Sequence, residues 1–265
     1  MDGEQCMNTN TINIFQFILV LLMGGSIGGI AGYIGSLMLT KRMSLMGGAL
    51  GHLTLPGMAL GLLYGFDVSL GALIFLSFGV LIIWLLEQRT QLPLEALTAV
   101  VFASSVAIAF LFLPQKEAYT ALIGDIKHIP LLAIIISIVT SSIIFFVIKK
   151  LIPQLVLTSI SPALATVEHY NVRYVTLIYL ICIALVVAMG VRIVGGLMTV
   201  ALVSIPASSS YNISRNLSQY SYVSLIFGAL SCIIGIALSF FVDLPAGPLI
   251  IITSALFFIY SLWHN

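Results

Sequence analysis

The sequence predicts an all-α protein: a polytopic transmembrane helix bundle of eight to nine membrane helices. Two observations carry this. Hydrophobic residues make up 60% of the 265 and charged residues only 7%, where soluble domains are about 25% charged. Apolar windows of about 20 residues, the length needed to cross a bilayer core, also recur along the whole chain. They lie near 14–39, 43–64, 68–86, 93–113, 129–150, 173–191, 193–209, 221–242 and 246–263. Some are short or interrupted by Gly or Pro, which leaves one or two as half-spanning. Residues 1–265 thus read as a single transmembrane domain.

The formal charge of +1 comes without any basic run, so nothing points to nucleic acid. Cys6, Cys182 and Cys232 lack C-x-x-C spacing and form neither a disulfide framework nor a zinc site. The segment before the first apolar run holds Asp2 and Glu4 but no cation. A secretory signal needs the opposite charge, so the first run is expected to stay as a membrane helix.

That first helix carries Gly24, Gly28 and Gly32 at four-residue spacing, with Gly25 and Gly29 beside them. Small residues at this spacing let helix backbones approach closely. The next segment, Lys41 to Gly65, reads as one apolar helix containing a single ionisable residue, His52. Pro56 stands four residues later, with no N–H to offer the His52 carbonyl. Gly57, Gly61 and Gly65 form a second smooth stripe, expected to pack against that of the first helix. An imidazole inside a membrane span is a functional candidate by default. The other reading is a histidine satisfied by a neighbouring helix.

With the N-terminus outside and nine crossings, seven of the ten cations fall on the cytoplasmic side: Lys41, Arg42, Arg89, Lys149, Lys150, Arg173 and Arg215. The positive-inside rule therefore favours that orientation. The largest polar connection is Thr158 to Arg173, whose 159–171 part is then a cytoplasmic loop. Ser159 or Ser161 can cap a short helix there, with Pro162 at its first position. Such a helix either joins two spans or docks a cytoplasmic partner. Further on, Pro206 is expected to break a helix, with Ser204, Ser208, Ser209 and Ser210 clustered around it.

None of the five lysines follows a glycine, so there is no phosphate-binding loop of the G-K-[ST] kind. Glu168 and His169 are adjacent and make a poor zinc pair. Nothing reads as a nucleophile with a base, and no cofactor is expected in this chain. Two other classes stay open. A secondary transporter would need a mid-membrane acid, and Glu95 lies near a helix end. An intramembrane enzyme using His52 would need a partner acid or nucleophile at helical spacing.

Taken together, these stretches resemble the membrane permease subunit of ABC importers for zinc, manganese or iron. Arg42-Met43-Ser44, Met46-Gly47, Ala49-Leu50, His52 and Leu55-Pro56-Gly57 look like that family's R-M-[SA]-x-x-G-D-A-L-[SA]-H-x-x-L-P-G. Gly124-Asp125 stands where the family has Gly-Asp, and Ile160 to Ala165 is similar to its I-S-P-x-x-A loop. Val194-Gly195-Gly196-Leu197 through Pro206-Ala207, and Pro245 to Pro248, resemble its late helix and closing turn.

The resemblance implies the ABC metal-permease type of fold in the cell (inner or plasma) membrane, with several partners. These are cytoplasmic ATP-binding subunits that use the ATP, an extracellular or periplasmic metal-binding protein, and a second permease chain, identical or paralogous. It implies that Ser161, Pro162, Ala163, Leu164 and Ala165 belong to the helix coupled to the ATPase, and that His52 contacts the transported ion. One position departs from the pattern: Gly48 replaces the aspartate four residues before the histidine, and Gly51 stands where Ser or Ala is usual. Three readings of Gly48 follow. Another carboxylate, Asp125 or Glu95, substitutes; a second permease chain supplies the acid; or the substrate differs.

Overall fold

The computed structural model describes residues 14–41, 43, 46–65, 68–90, 92–112, 129–168, 170–196 and 198–263. Every regular element among them is a helix, as hydrocarbon demands, because only a helix or a closed barrel bonds all its own backbone groups there. In order these are α1 (Ile14–Thr40), α2 (Met46–Leu53), α3 (Leu55–Tyr64), α4 (Val68–Arg89), α5 (Leu94–Phe112) and α6 (Leu131–Ile160). Then come α7 (Pro162–Val167), α8 (Val172–Val194), α9 (Thr199–Ile213), α10 (Leu217–Val242) and α11 (Ala246–Leu262). Among the described residues, five helices are long and apolar enough to cross a membrane: α1, α4, α6, α8 and α10. Shorter apolar helices, α5 and α11, accompany them. The protein is a multi-pass membrane protein.

Helix ends follow local chemistry. The Asn216 side chain accepts from the Gln219 N–H at 2.7 Å to start α10, and Asn171 accepts from Tyr174 at 3.4 Å to start α8. At the far end of α10, Asp243 turns left-handed at φ 53°, and Ser239 Oγ donates to the Leu244 carbonyl at 2.6 Å.

Three sequence expectations are corrected. The 41–65 segment is two helices, because Thr54 is a turn between α2 and α3. Without an N–H at Pro56 the ladder fails, and both the Thr54 amide (3.3 Å) and its hydroxyl turn back to the Gly51 carbonyl. Pro56 then falls in the first turn of α3, where its missing donor is harmless. Conversely, Pro206 lies inside an unbroken α9. Ser208, Ser209 and Ser210 donate to the carbonyls of Ser204, Ile205 and Ala207 at 2.8–3.0 Å, bending over the helix's own backbone. The interruption in that region comes earlier, at Gly195, Gly196 and Met198. Lastly, α6 runs through Lys149, Lys150 and Pro153 to Ile160, ten residues beyond the expected end.

The first glycine stripe faces α10 rather than the 41–65 segment. A Cβ on Gly28 would meet Cys232 Sγ and, at 2.5 Å, the Gly228 carbonyl; on Gly32 it would meet the Ser224 carbonyl, and on Gly24 the Ile236 side chain. As residue numbers rise along α1 they fall along α10, so the pair is antiparallel. Ser224 Oγ donates to the Gly32 carbonyl at 2.6 Å, and the Ser36 and Ser221 hydroxyls lie 3.0 Å apart, stitching the same seam. Lipid is as apolar as the helices, so such contacts depend on close fit and hydrogen bonds rather than on hydrophobic driving force.

Gly32→Ala should therefore force two backbones apart, an overpacking penalty of roughly 1–3 kcal/mol. Gly29→Ala meets only ordinary contacts at 3.5 Å and should be nearly silent. Melting temperatures in detergent should fall for the first variant and match wild type for the second.

Candidate functional site

His52 occupies the last turn of α2, immediately before the Thr54 break. Its ring is half-buried and lies against Phe102 of α5, centroids 5.3 Å apart and planes tilted by 37°. The carbonyls at the end of α2 point toward the break, and that of His52 has no N–H at position 56 to pair with. A helix C-terminus carries partial negative charge, and unwound carbonyls near a break are natural cation contacts in transport proteins. The break thus brings the His52 imidazole together with a backbone carbonyl, its own, that Pro56 cannot pair with.

The break is braced from three sides. Gly51 packs against the turn between α8 and α9, where a Cβ would meet the Gly196 carbonyl at 2.8 Å. Gly57 packs against the Gly71 carbonyl of α4, again backbone on backbone. Gly79 of α4 lies against Leu53, a Cβ there meeting Leu53 Cδ2 at 3.0 Å. The α8–α9 turn itself needs a glycine: Gly195 sits at φ 84°, ψ 162°, and its carbonyl accepts from Thr199 Oγ1 at 2.7 Å. The two interruptions of the bundle therefore meet at Gly51 and Gly196. Sequence reasoning marked the unpaired position at Pro56 but read one helix through it, and it missed this partner; the signal available was the Gly195-Gly196 pair.

Gly48 lies one turn before His52 on α2, and as glycine it offers no ligand. Among the described residues no group of three His, Cys, Asp or Glu side chains is placed to hold a metal ion. Glu95 lies in the first turn of α5, seven residues before Phe102, roughly 10 Å along the axis from the level of His52. That exceeds the ligand shell of one ion, whose bonds are about 2 Å long. Asp125 lies outside the described residues.

Of the residues in the 159–171 loop, Ser161 caps α7 by accepting from the Leu164 N–H at 3.3 Å, and Pro162 takes its first position. Ala165 is fully buried, whereas Leu164 is 54% exposed and Val167 72% exposed. These two are three residues apart on one face, and Val167 was not singled out in the sequence. His169 lies outside the described residues. The second glycine stripe divides: Gly57 packs on α4, Gly61 is buried, and Gly65 is a left-handed helix end with open space around it. Gly65 is thus corrected from a packing residue to a cap.

The model of the ABC 3 transport family matches residues 14–265. This chain belongs to that family. A Streptococcus gordonii manganese import system permease protein, ScaB, is 29% identical over 89% of this chain and 86% of its own. The high-affinity zinc uptake system membrane protein ZnuB of Haemophilus influenzae is also 29% identical, over 92% and 96%. Among solved structures, PsaBC from Streptococcus pneumoniae in complex with Fab is similar with a TM-score of 0.78 and 25% identity, over 94% of this chain and 95% of that one. The resemblance read from the motifs of this ABC 3 transport protein is thereby borne out along nearly its whole length.

Gly195→Ala should cost about 1–3 kcal/mol, the range for backbone held in a region other residues avoid. Gly190→Ala, whose Cβ would meet only side-chain methyls at 3.3–3.4 Å, should cost less. Detergent melting curves of the two variants check the order.

Proposed function

We propose that this chain is the membrane permease of an ABC importer for a divalent metal ion, manganese or zinc, with ATP hydrolysed by separate cytoplasmic subunits. The observation that carries the reading is the near full-length match to manganese and zinc permeases, combined with a lone histidine at a helix break. The transported ion is substrate here, and it meets the His52 imidazole and the unpaired His52 carbonyl at the end of α2. Imidazole suits manganese, zinc and iron alike, so the choice of metal rests on the relatives' names. A path must also release what it binds. A site of one nitrogen and one carbonyl oxygen gives weak, transient contact.

The orientation has the N-terminus outside. Lys41, Arg173 and Arg215 gather at one end of the bundle: Lys41 lies by Glu87 and Tyr179, Trp84 bonds the Arg173 carbonyl, and Arg215 lines one cavity with Thr40. A basic end belongs in the cytoplasm. The capped helix α7 stands next in the chain to Arg173 and is the ATPase docking helix, with Leu164 and Val167 as its apolar contacts. A metal-binding protein delivers the ion from the opposite side, and eight or nine segments cross the membrane. Because Gly48 removes the acid from α2, a paralogous permease chain that retains it is the favoured second subunit.

Replacing Leu164 and Val167 together with Glu should abolish co-purification of the ATPase while membrane insertion persists. Normal ATPase yield from that double variant would place docking elsewhere.

In proteoliposomes containing this chain, its ATPase and no second permease, metal uptake should be weak. His52→Ala should lower it further and Gly48→Asp should raise it. Full uptake by the wild-type homodimer, unchanged in His52→Ala, would overturn both the heterodimer and the role of His52.

A further inference from the structure

The docking helix α7 and the His52 break lie at different levels of the bundle, and one element touches the surroundings of both. At the basic end, Trp84 near the end of α4 donates its indole N–H to the Arg173 carbonyl at 3.2 Å, within the range of a real hydrogen bond. Arg173 is in the first turn of α8. The start of α8 is in turn tied to α7, since the Tyr170 N–H donates to the Ala165 carbonyl at 3.0 Å. Lys41 reinforces the junction, with Nζ 5.3 Å from the centre of the Tyr179 ring of α8 and within electrostatic reach of Glu87 on α4. Burial lowers the Lys41 pKa and the Glu87 charge opposes that shift, as befits a cation held inside a contact.

Further along, the same α4 meets the α2–α3 break through two of its glycines. Gly71 receives Gly57 of α3, and Gly79 receives Leu53, the residue after His52. The Gly71 carbonyl pressed on Gly57 leaves little slack, so movement of α4 along or about its axis is passed to α3, while the Leu53 side chain packed on Gly79 links α4 to the end of α2. The route therefore runs from α7 through Tyr170 and Arg173 to Trp84, then along α4 to Gly79 and Gly71, and across to Leu53 and Gly57.

The geometry points to α4 as the rod that carries the ATPase stroke to the His52 break, with Trp84 as the positioning residue that fastens it to the docking end. This rests on the reading of α7 as the docking helix. The competing role for a tryptophan at a helix end is to anchor at the membrane interface. Phenylalanine retains the ring and the apolar anchor but cannot donate the bond.

The test uses the assembled transporter in proteoliposomes, comparing wild type with Trp84→Phe for metal ions moved per ATP hydrolysed. The expected result is normal ATPase co-purification, retained ATP hydrolysis, and a several-fold fall in ions per ATP. A second variant, Gly79→Ala, presses on the flexible Leu53 side chain at the middle of the rod and should lower the same ratio without loss of yield. It decides the matter if Trp84→Phe does not fold. Wild-type ratios in both variants would overturn the rod, as would loss of ATPase binding in Trp84→Phe, which would make Trp84 a docking residue. Failure of the underlying reading looks different: the ATPase would still co-purify with the Leu164 and Val167 double variant, or wild type would move no metal at all.

Discussion

The structure depends on where a chain in hydrocarbon leaves backbone groups unpaired. An unbonded carbonyl or amide in the bilayer costs several kcal/mol, so irregular backbone is confined to places shielded by protein. This chain concentrates two such places side by side: the Thr54 break between α2 and α3, and the turn at Gly195, Gly196 and Met198 between α8 and α9. They touch through Gly51 and the Gly196 carbonyl. Each supplies the other's protein environment, and the ionisable His52 lies one residue from that contact. Local chemistry repays part of the loss, with Thr54 and Thr199 turning their hydroxyls onto the Gly51 and Gly195 carbonyls.

The remainder of the bundle holds these breaks in register. Helices in lipid gain nothing from burying apolar surface against each other, so the seam between α1 and α10 relies on glycines that bring carbonyls into contact and on serines that bond across. Gly28 faces Gly228, Gly32 faces Ser224, and Ser224 returns a hydrogen bond to the Gly32 carbonyl. Backbone contacts of this kind have one geometry, unlike side-chain contacts that can repack. Under the proposed reading, that rigidity lets a displacement at the end that bears α7 reach the break beside His52, because sliding one helix requires its neighbours to follow.

Much of the bundle was legible because the bilayer fixes the length of an apolar run, and α1, α4 and α8 fall close to the windows read from composition. Glycine stripes were legible as smooth faces but not as pairs. Gly24, Gly28 and Gly32 say that some backbone comes close, and nothing in them says that it belongs to α10. The two prolines show the same limit. Pro56 and Pro206 remove one hydrogen bond each, yet only the first breaks its helix. At Pro56, Gly51 and Gly57 let neighbouring backbones brace an open turn, whereas α9 keeps its helix on both sides of Pro206. The cap at Ser161 was readable because capping is local. The exposure of Leu164 and Val167 with Ala165 buried beneath them depends on how α7 lies on the bundle.

Gly48 is better understood from the break than from the missing acid. A carboxylate one turn before His52 would add a full negative charge and an oxygen donor, and the gain in binding would be large where water is excluded. A transport path is not improved by depth alone, since an ion bound too tightly at one station does not leave it. The α2 terminus already presents partial negative charge of about half a unit, and the missing N–H at Pro56 leaves the His52 carbonyl open at the same level. The chain therefore retains the geometry of a cation station while lacking its fixed charge. Under the proposed function, such a half-site would attract a divalent ion without trapping it and would become a selective site only when a facing chain brought the carboxylate. On the proposed reading the glycine would make this subunit the releasing side of an asymmetric pair, with the charge and the tighter hold on the other side of the path.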